Sequence, residues 1–520
     1  MLRGRGGVRW CGDRWIALAC ACVWLLLGLA PLGEACANTS QSQRRDEEDG
    51  IEELARELRE RYPDRRQRAI KRLAALGTRE AWELVLRGLA DRAPEVADEA
   101  RVQLAASREG SVVQALLGEA GLKSRDEWVR VRAAETLGRS MGEVDARDLA
   151  RAIDARDAAV ARALVGALER RAREKRVAEA ERAVGEVEGC VRHGVDPLLR
   201  GAALGTLAVL APERALDAVE EACEDRTSEV RCAALQALAQ LRGEACTDRV
   251  RALTGDPASG VRALAIDLLE RFASKASVLA LINRLEREER PALRWRTVRA
   301  LQRMTGRKER LDPRPWRVFA ATLAEDWRPS APGATSEAGS STFALAGLPI
   351  LSDRVVFLID FSGSLWRVHE DGRSRKAIVD VKMRAALEAL PETARFNVIP
   401  YTSEPHPWRE SLVPATRANI EHAARDFETC QERGKGNFFD AALLALADPE
   451  VDTIVVLTDG APTGGHRFQL DLLFDALLEE NRSRCVTFDS IVVDCPKGVA
   501  RKWLDFSERT GGRSIAVALD

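Results

Sequence analysis

The chain has 520 residues and a formal net charge of −2, with 31% charged and 46% hydrophobic residues. That length supplies more than one buried core, and these fractions exclude a disordered chain or a multi-span membrane protein. Arginines are spread along helical patterns with no basic block, which argues against a nucleic-acid partner.

The first 37 residues differ from the rest. Arg3, Arg5, Arg9 and Arg14 precede an apolar run from Trp15 to Gly33, and Ala35 and Ala37 then give a small-x-small cleavage pattern. Residues 1–37 are therefore expected to be a signal peptide cut after Ala37, which places the protein outside the cytoplasm, periplasmic or extracellular. The membrane would hold it only through an uncleaved Trp15–Leu32 segment. Residues 38–51 read as a polar disordered segment. Beyond Ala37 the cysteines are Cys190, Cys223, Cys232, Cys246, Cys430, Cys485 and Cys495, with no zinc spacing among them. Most read as small buried apolar residues. Cys223 and Cys232 lie on either side of a predicted helical turn, within reach of a disulfide.

Residues 52–328 repeat one phrase: an acidic turn, an aliphatic residue followed by Arg, then an Ala- and Leu-rich helix. The copies at Val131-Arg132, Leu199-Arg200, Val230-Arg231, Val261-Arg262 and Leu293-Arg294 are the clearest. A period near thirty residues predicts about eight stacked helix pairs, since neither amphipathic helix can bury its stripe alone. The phrase resembles HEAT repeats, which implies a superhelical solenoid and a protein-binding surface. The repeated Arg is expected to pair with the acidic turn of a neighbouring unit.

Residues 329–342 are rich in Pro, Gly and Ser and read as a linker. From Phe343 to Asp520 the period changes. The runs Val355–Ile359, Phe396–Tyr401, Thr453–Leu457 and Val486–Val493 read as strands, with helices over Lys376–Leu390, Asn419–Cys430 and Phe468–Glu480. This alternation predicts an α/β doubly wound domain with a mostly parallel sheet, whose ligands bind beyond the carboxyl ends of the strands. The solenoid is expected to be separable from this domain.

The first of these strands ends in Asp360-Phe-Ser362-Gly-Ser364, where a carboxylate and two hydroxyls alternate in a tight turn and can converge on one hard cation. A later strand ends in Thr458-Asp459-Gly-Ala-Pro-Thr463. Together the two motifs resemble the metal-ion-dependent adhesion site of von Willebrand factor A domains. That resemblance implies Asp360, Ser362, Ser364 and Asp459 as ligands for Mg²⁺, or Mn²⁺ or Ca²⁺, and a protein partner that completes the shell with an acidic side chain. The family takes a Thr hydroxyl from a third loop; here Gly436 stands at that position and Lys435 adds a neighbouring cation.

The expected function is thus a non-enzymatic adhesion or scaffold protein that joins an interaction solenoid to a partly degenerate metal site. One alternative is a metal-independent scaffold whose solenoid does the binding. Another is a hydrolase using Ser362 or Ser364, but the sequence offers no G-x-S-x-G elbow and no H-E-x-x-H motif. Of the five histidines, only His369 and His466 closely follow the metal-loop motifs.

Overall fold

The computed structural model describes residues 49–177, 179–329, 344–368, 372 and 374–517. The expected signal peptide and nearly all of the linker lie outside them. Two compact units are distinguished, residues 1–56 and 57–520. Of the first, residues 49–56 are described and are helical. No helix among the described residues is long and apolar enough to cross a membrane.

The second unit begins with paired helices from Pro63–Leu76 to Pro313–Ala321. Acidic turn residues start many of them: Asp126, Asp145, Asp157, Asp196 and Asp312 each accept backbone N–H groups as N-caps. Acidic turn residues also receive arginines from the preceding unit. Arg231 pairs with Asp256 at 2.7 Å, Arg262 with Glu288 at 2.9 Å, Arg66 with Asp91 at 2.8 Å, and Arg200 with Asp225. Asp256 also accepts the Ala258 N–H at 2.8 Å, so one carboxylate caps its own turn and anchors the neighbouring repeat. Two copies depart from this pattern. Arg132 donates to the Leu89 carbonyl at 2.6 Å, and Arg294 to the Leu311 carbonyl at 3.5 Å.

The cysteine expectation needs correction: Cys223 and Cys232 are both free and buried. Cys223 lies near Arg249 and Cys246, whereas Cys232 projects from helix Ser228–Arg242 toward Cys485 in the α/β domain. Helical register turns the two thiols away from each other.

The α/β domain holds a six-stranded sheet. Its strands are β1 (Arg354–Asp360), β2 (Arg395–Tyr401), β3 (Val413–Pro414), β4 (Thr453–Thr458), β5 (Thr487–Val493) and β6 (Ser514–Val517), in the order β3-β2-β1-β4-β5-β6. Only edge strand β3 runs antiparallel. Alternation along β1 sends Val355, Phe357 and Ile359 to one face, beneath helices Arg375–Glu388 and Arg417–Thr429. Val356 and Leu358 go to the other, beneath Phe438–Ala447, Leu470–Glu480 and Lys497–Arg509.

The solenoid and this domain are packed together. Asp98 of helix Pro94–Ala106 accepts the backbone N–H groups of Phe468 and Gln469 at 2.7 and 2.9 Å, and so caps helix Leu470–Glu480 from the other half of the chain. Arg467 forms a bidentate pair with Glu135 at 2.6 and 2.9 Å. Further along, Arg139 meets Asp475 at 2.8 Å, Arg162 meets Glu480 at 3.1 Å, Arg482 meets Glu169 at 2.9 Å, and Arg290 meets Asp452 at 3.5 Å. The expected separability of the two halves gives way to this chain of charge-assisted contacts.

Candidate metal centre

The carboxyl ends of β1 and β4 lie side by side because the two strands pair in parallel, Ile359 opposite Leu457. This register brings the Asp360 and Asp459 turns to one sheet edge. Asp360 is 6% exposed, and both of its oxygens accept hydrogen bonds from neutral donors: the Ser362 N–H at 2.9 Å and the Thr458 hydroxyl at 2.9 Å. The Ser362 and Ser364 hydroxyls stand 3.0 Å apart. Burial pushes the Asp360 carboxyl up to about 6, the Ser362 N–H opposes that rise, and the Asp459 charge adds to it.

A recess of about 10 Å³, the scale of one water-sized sphere, is lined by Asp360, Ser364, Thr458, Asp459 and Arg375. The donor set fits a small hard cation: two carboxylates and adjacent hydroxyls, with a buried Asp360 carboxylate that forms no ion pair among the described residues. The sequence-derived residues Asp360, Ser362, Ser364 and Asp459 thus gather at one edge. Sequence reasoning picked out neither Thr458 as a partner of Asp360 nor Arg375 beside Asp459. Arg375, the first residue of its helix after the Ser374 N-cap, has Nη1 3.7 Å from Asp459 and Nη2 2.6 Å from Asp494. Nothing in its sequence context marks it, because the pairing joins residues far apart in the chain.

The third loop is tied tightly to the second. The Gly436 N–H donates to the Thr463 hydroxyl at 2.8 Å, and the Thr463 and Gly464 N–H groups donate back to the Gly436 carbonyl at 3.1 and 3.3 Å. A Cβ on Gly436 would lie 3.1 Å from Asp360 Oδ1, so this loop passes directly over the carboxylate. Gly465, at φ +89°, leaves no space for a side chain, since a Cβ would fall 1.9 Å from Asn437 Oδ1. Lys435, expected as a cation at the site, points instead toward Glu95 of the solenoid, with Nζ 3.7 Å away. His466 bonds Asp440 at 3.1 Å and stacks on Trp128 of the solenoid, ring centroids 4.1 Å apart. His369 lies outside the described residues.

A family model described as HEAT repeats matches residues 190–270. The C-terminal part is 33% identical over 135 residues to mouse inter alpha-trypsin inhibitor heavy chain 4, covering 24% of this chain and 14% of that protein. Bovine inter-alpha-trypsin inhibitor heavy chain H3 is 35% identical over 130 residues, covering 23% and 14%. The match therefore spans about a seventh of the length of these curated relatives. Among solved structures, the Deinococcus radiodurans Ro protein is 16% identical and covers 81% of this chain and 86% of its own, but its TM-score of 0.19 carries no structural argument. The chain joins HEAT-like repeats to a von Willebrand factor A-type domain.

Proposed function

We propose that this chain is an exported, non-enzymatic protein-binding or scaffold protein whose A-type domain, residues 343–520, captures an acidic side chain of its partner through a divalent cation. The HEAT-like array, residues 52–328, cradles that domain and holds its loops in register. One observation carries the reading. The buried Asp360 carboxylate and Asp459 line one recess of single-ion size, and among the described residues the donors on the Asp360 oxygens are neutral. Mg²⁺, Mn²⁺ or Ca²⁺ held by Asp360, Ser362, Ser364 and Asp459 would neutralise both carboxylates and leave a coordination position for a partner's carboxylate. The missing Thr oxygen at Gly436 weakens the site, since Mg²⁺ accepts water in its place.

Among the described residues, Ser362 and Ser364 bond each other, while His406 bonds Thr402, His422 contacts Arg409 and His466 bonds Asp440, which supports the non-enzymatic reading. Arg375 favours a second reading, in which a guanidinium already beside Asp459 supplies positive charge without metal.

Calorimetric titration of the full chain with Mg²⁺ and Mn²⁺ separates the two. Measurable binding in the parent, lost in Asp360→Ala and in Asp459→Ala with unchanged circular dichroism, supports the metal site. No binding in the parent, together with partner capture from an envelope fraction that survives chelator, supports the metal-free scaffold.

A further inference from the structure

Cys232 and Cys485 come from different halves of the chain and meet where those halves pack. Cys232 lies in helix Ser228–Arg242 and is fully buried. Cys485 follows the short helix Asn481–Ser483, is partly exposed, and has φ +51°. One helical turn beyond Cys232, on the same face, Gln236 donates to the Arg482 carbonyl at 3.1 Å and accepts from Arg482 Nε at 2.6 Å. Cys485 Sγ is 3.7 Å from that same carbonyl. On its other side Arg296 donates to the Cys485 carbonyl at 3.4 Å, and a Cβ on Gly260 would stand 2.7 Å from the Arg484 carbonyl. Three helices of the array thus close around this turn of the A-type domain and bring Cys485 to the helix face that carries Cys232, close enough for each thiol to shift the acidity of the other.

We propose that Cys232 and Cys485 form a dithiol that closes into a disulfide, covalently tethering the solenoid to the A-type domain. Cys485 is the attacking thiol, because an oxidant can reach it while Cys232 is enclosed. The neighbouring Cys232 thiol and the positive charge of Arg296 together hold Cys485 below the ordinary thiol range, against the opposing effect of its partial burial. The oxidant is a small or protein disulfide, RSSR. The Cys485 thiolate attacks one of its sulfurs, expels RS⁻ and becomes a mixed disulfide. Cys232 then loses its proton and attacks the Cys485 sulfur, expelling the second RS⁻. Two thiols are oxidised, one external disulfide is reduced, and the released thiolates take up the protons.

The test uses the full chain, fully reduced and then exposed to oxidised glutathione. After quenching with N-ethylmaleimide in denaturant, digestion without reductant and mass spectrometry follow. The expected result is a linked peptide pair containing Cys232 and Cys485, with a faster band on a non-reducing gel. Cys232→Ser should lose the link and leave glutathione on Cys485, while Cys485→Ser should lose both. Recovery of Cys232 and Cys485 each carrying N-ethylmaleimide, or of Cys232 linked to any other cysteine, would overturn the proposal.

Discussion

At the residue scale Gly436 and Asp98 each join two parts of the molecule that sequence reading treats separately. Gly436 has no positive φ, so its backbone accepts a β-branched residue; what it lacks is space, with a Cβ 3.1 Å from Asp360 Oδ1. Gly436→Ala should therefore destabilise the metal-free chain by about 1 kcal/mol through crowding. Gly436→Thr, which adds a hydroxyl oxygen over the same carboxylate, should instead tighten Mn²⁺ binding by about tenfold. Calorimetry on both variants checks the contrast, and equal behaviour of Ala and Thr would mean the hydroxyl never reaches the cation. Asp98 is fully buried and serves Arg101 at 2.8 Å as well as the Phe468 and Gln469 amides. Asp98→Ala leaves a buried guanidinium and two N–H groups short of partners, an expected loss of about 3–5 kcal/mol in urea unfolding. Asp98→Asn keeps an oxygen acceptor and should lose distinctly less. Asp360, Ser362, Ser364 and Asp459 were legible in the sequence because short turns after strands fix where their side chains project. Asp98 was not, since nothing near it distinguishes a carboxylate that caps a helix 370 residues away from one that meets solvent.

At the scale of elements, Glu135 on helix Glu127–Arg139 is the centre of the ion network between array and domain. Burial alone would raise its carboxyl, but Arg467 and Arg101 outweigh burial and hold it at about 2, against an ordinary value of 4.5. A depressed folded-state value means the stabilisation is complete above about pH 4.5 and is lost as pH falls toward 2. The shift corresponds to about 3 kcal/mol at neutral pH, of which Glu135→Gln should remove the pH-dependent part. Urea midpoints measured between pH 6 and pH 3 should fall steeply in the parent and less steeply in the variant; parallel curves would show that the network does not hold the interface. The strands were readable because β-branched runs between helical stretches have few alternatives, and the repeats because the aliphatic-Arg phrase recurs with a period near thirty residues. Edge strand β3 has two residues and β6 four, too short for periodicity to mark.

At the scale of the whole molecule, the successive contacts at Asp98, Glu135, Arg162, Glu169, Gln236 and Arg296 commit one helix of most repeats to the chain's own A-type domain. The face of the array that sequence analogy would offer to an outside partner is thereby used internally. On the proposed reading, partner capture would fall instead to the sheet edge around Asp360 and Asp459. Helical periodicity shows only that a repeat has a polar side; it does not reveal whether water or another domain covers that side. The Pro-, Gly- and Ser-rich composition of residues 329–341 makes that stretch the expected first site of limited proteolysis. Cleavage there should nick the backbone without releasing either half, because bidentate, partly buried pairs such as Arg467 with Glu135 resist screening better than exposed ones. Size-exclusion chromatography of the nicked chain in reductant should show both fragments in one peak at 0.15 M salt, and Glu135→Gln with Asp98→Ala should split that peak. Fragments that separate without any substitution would mean that the two halves act as independent modules.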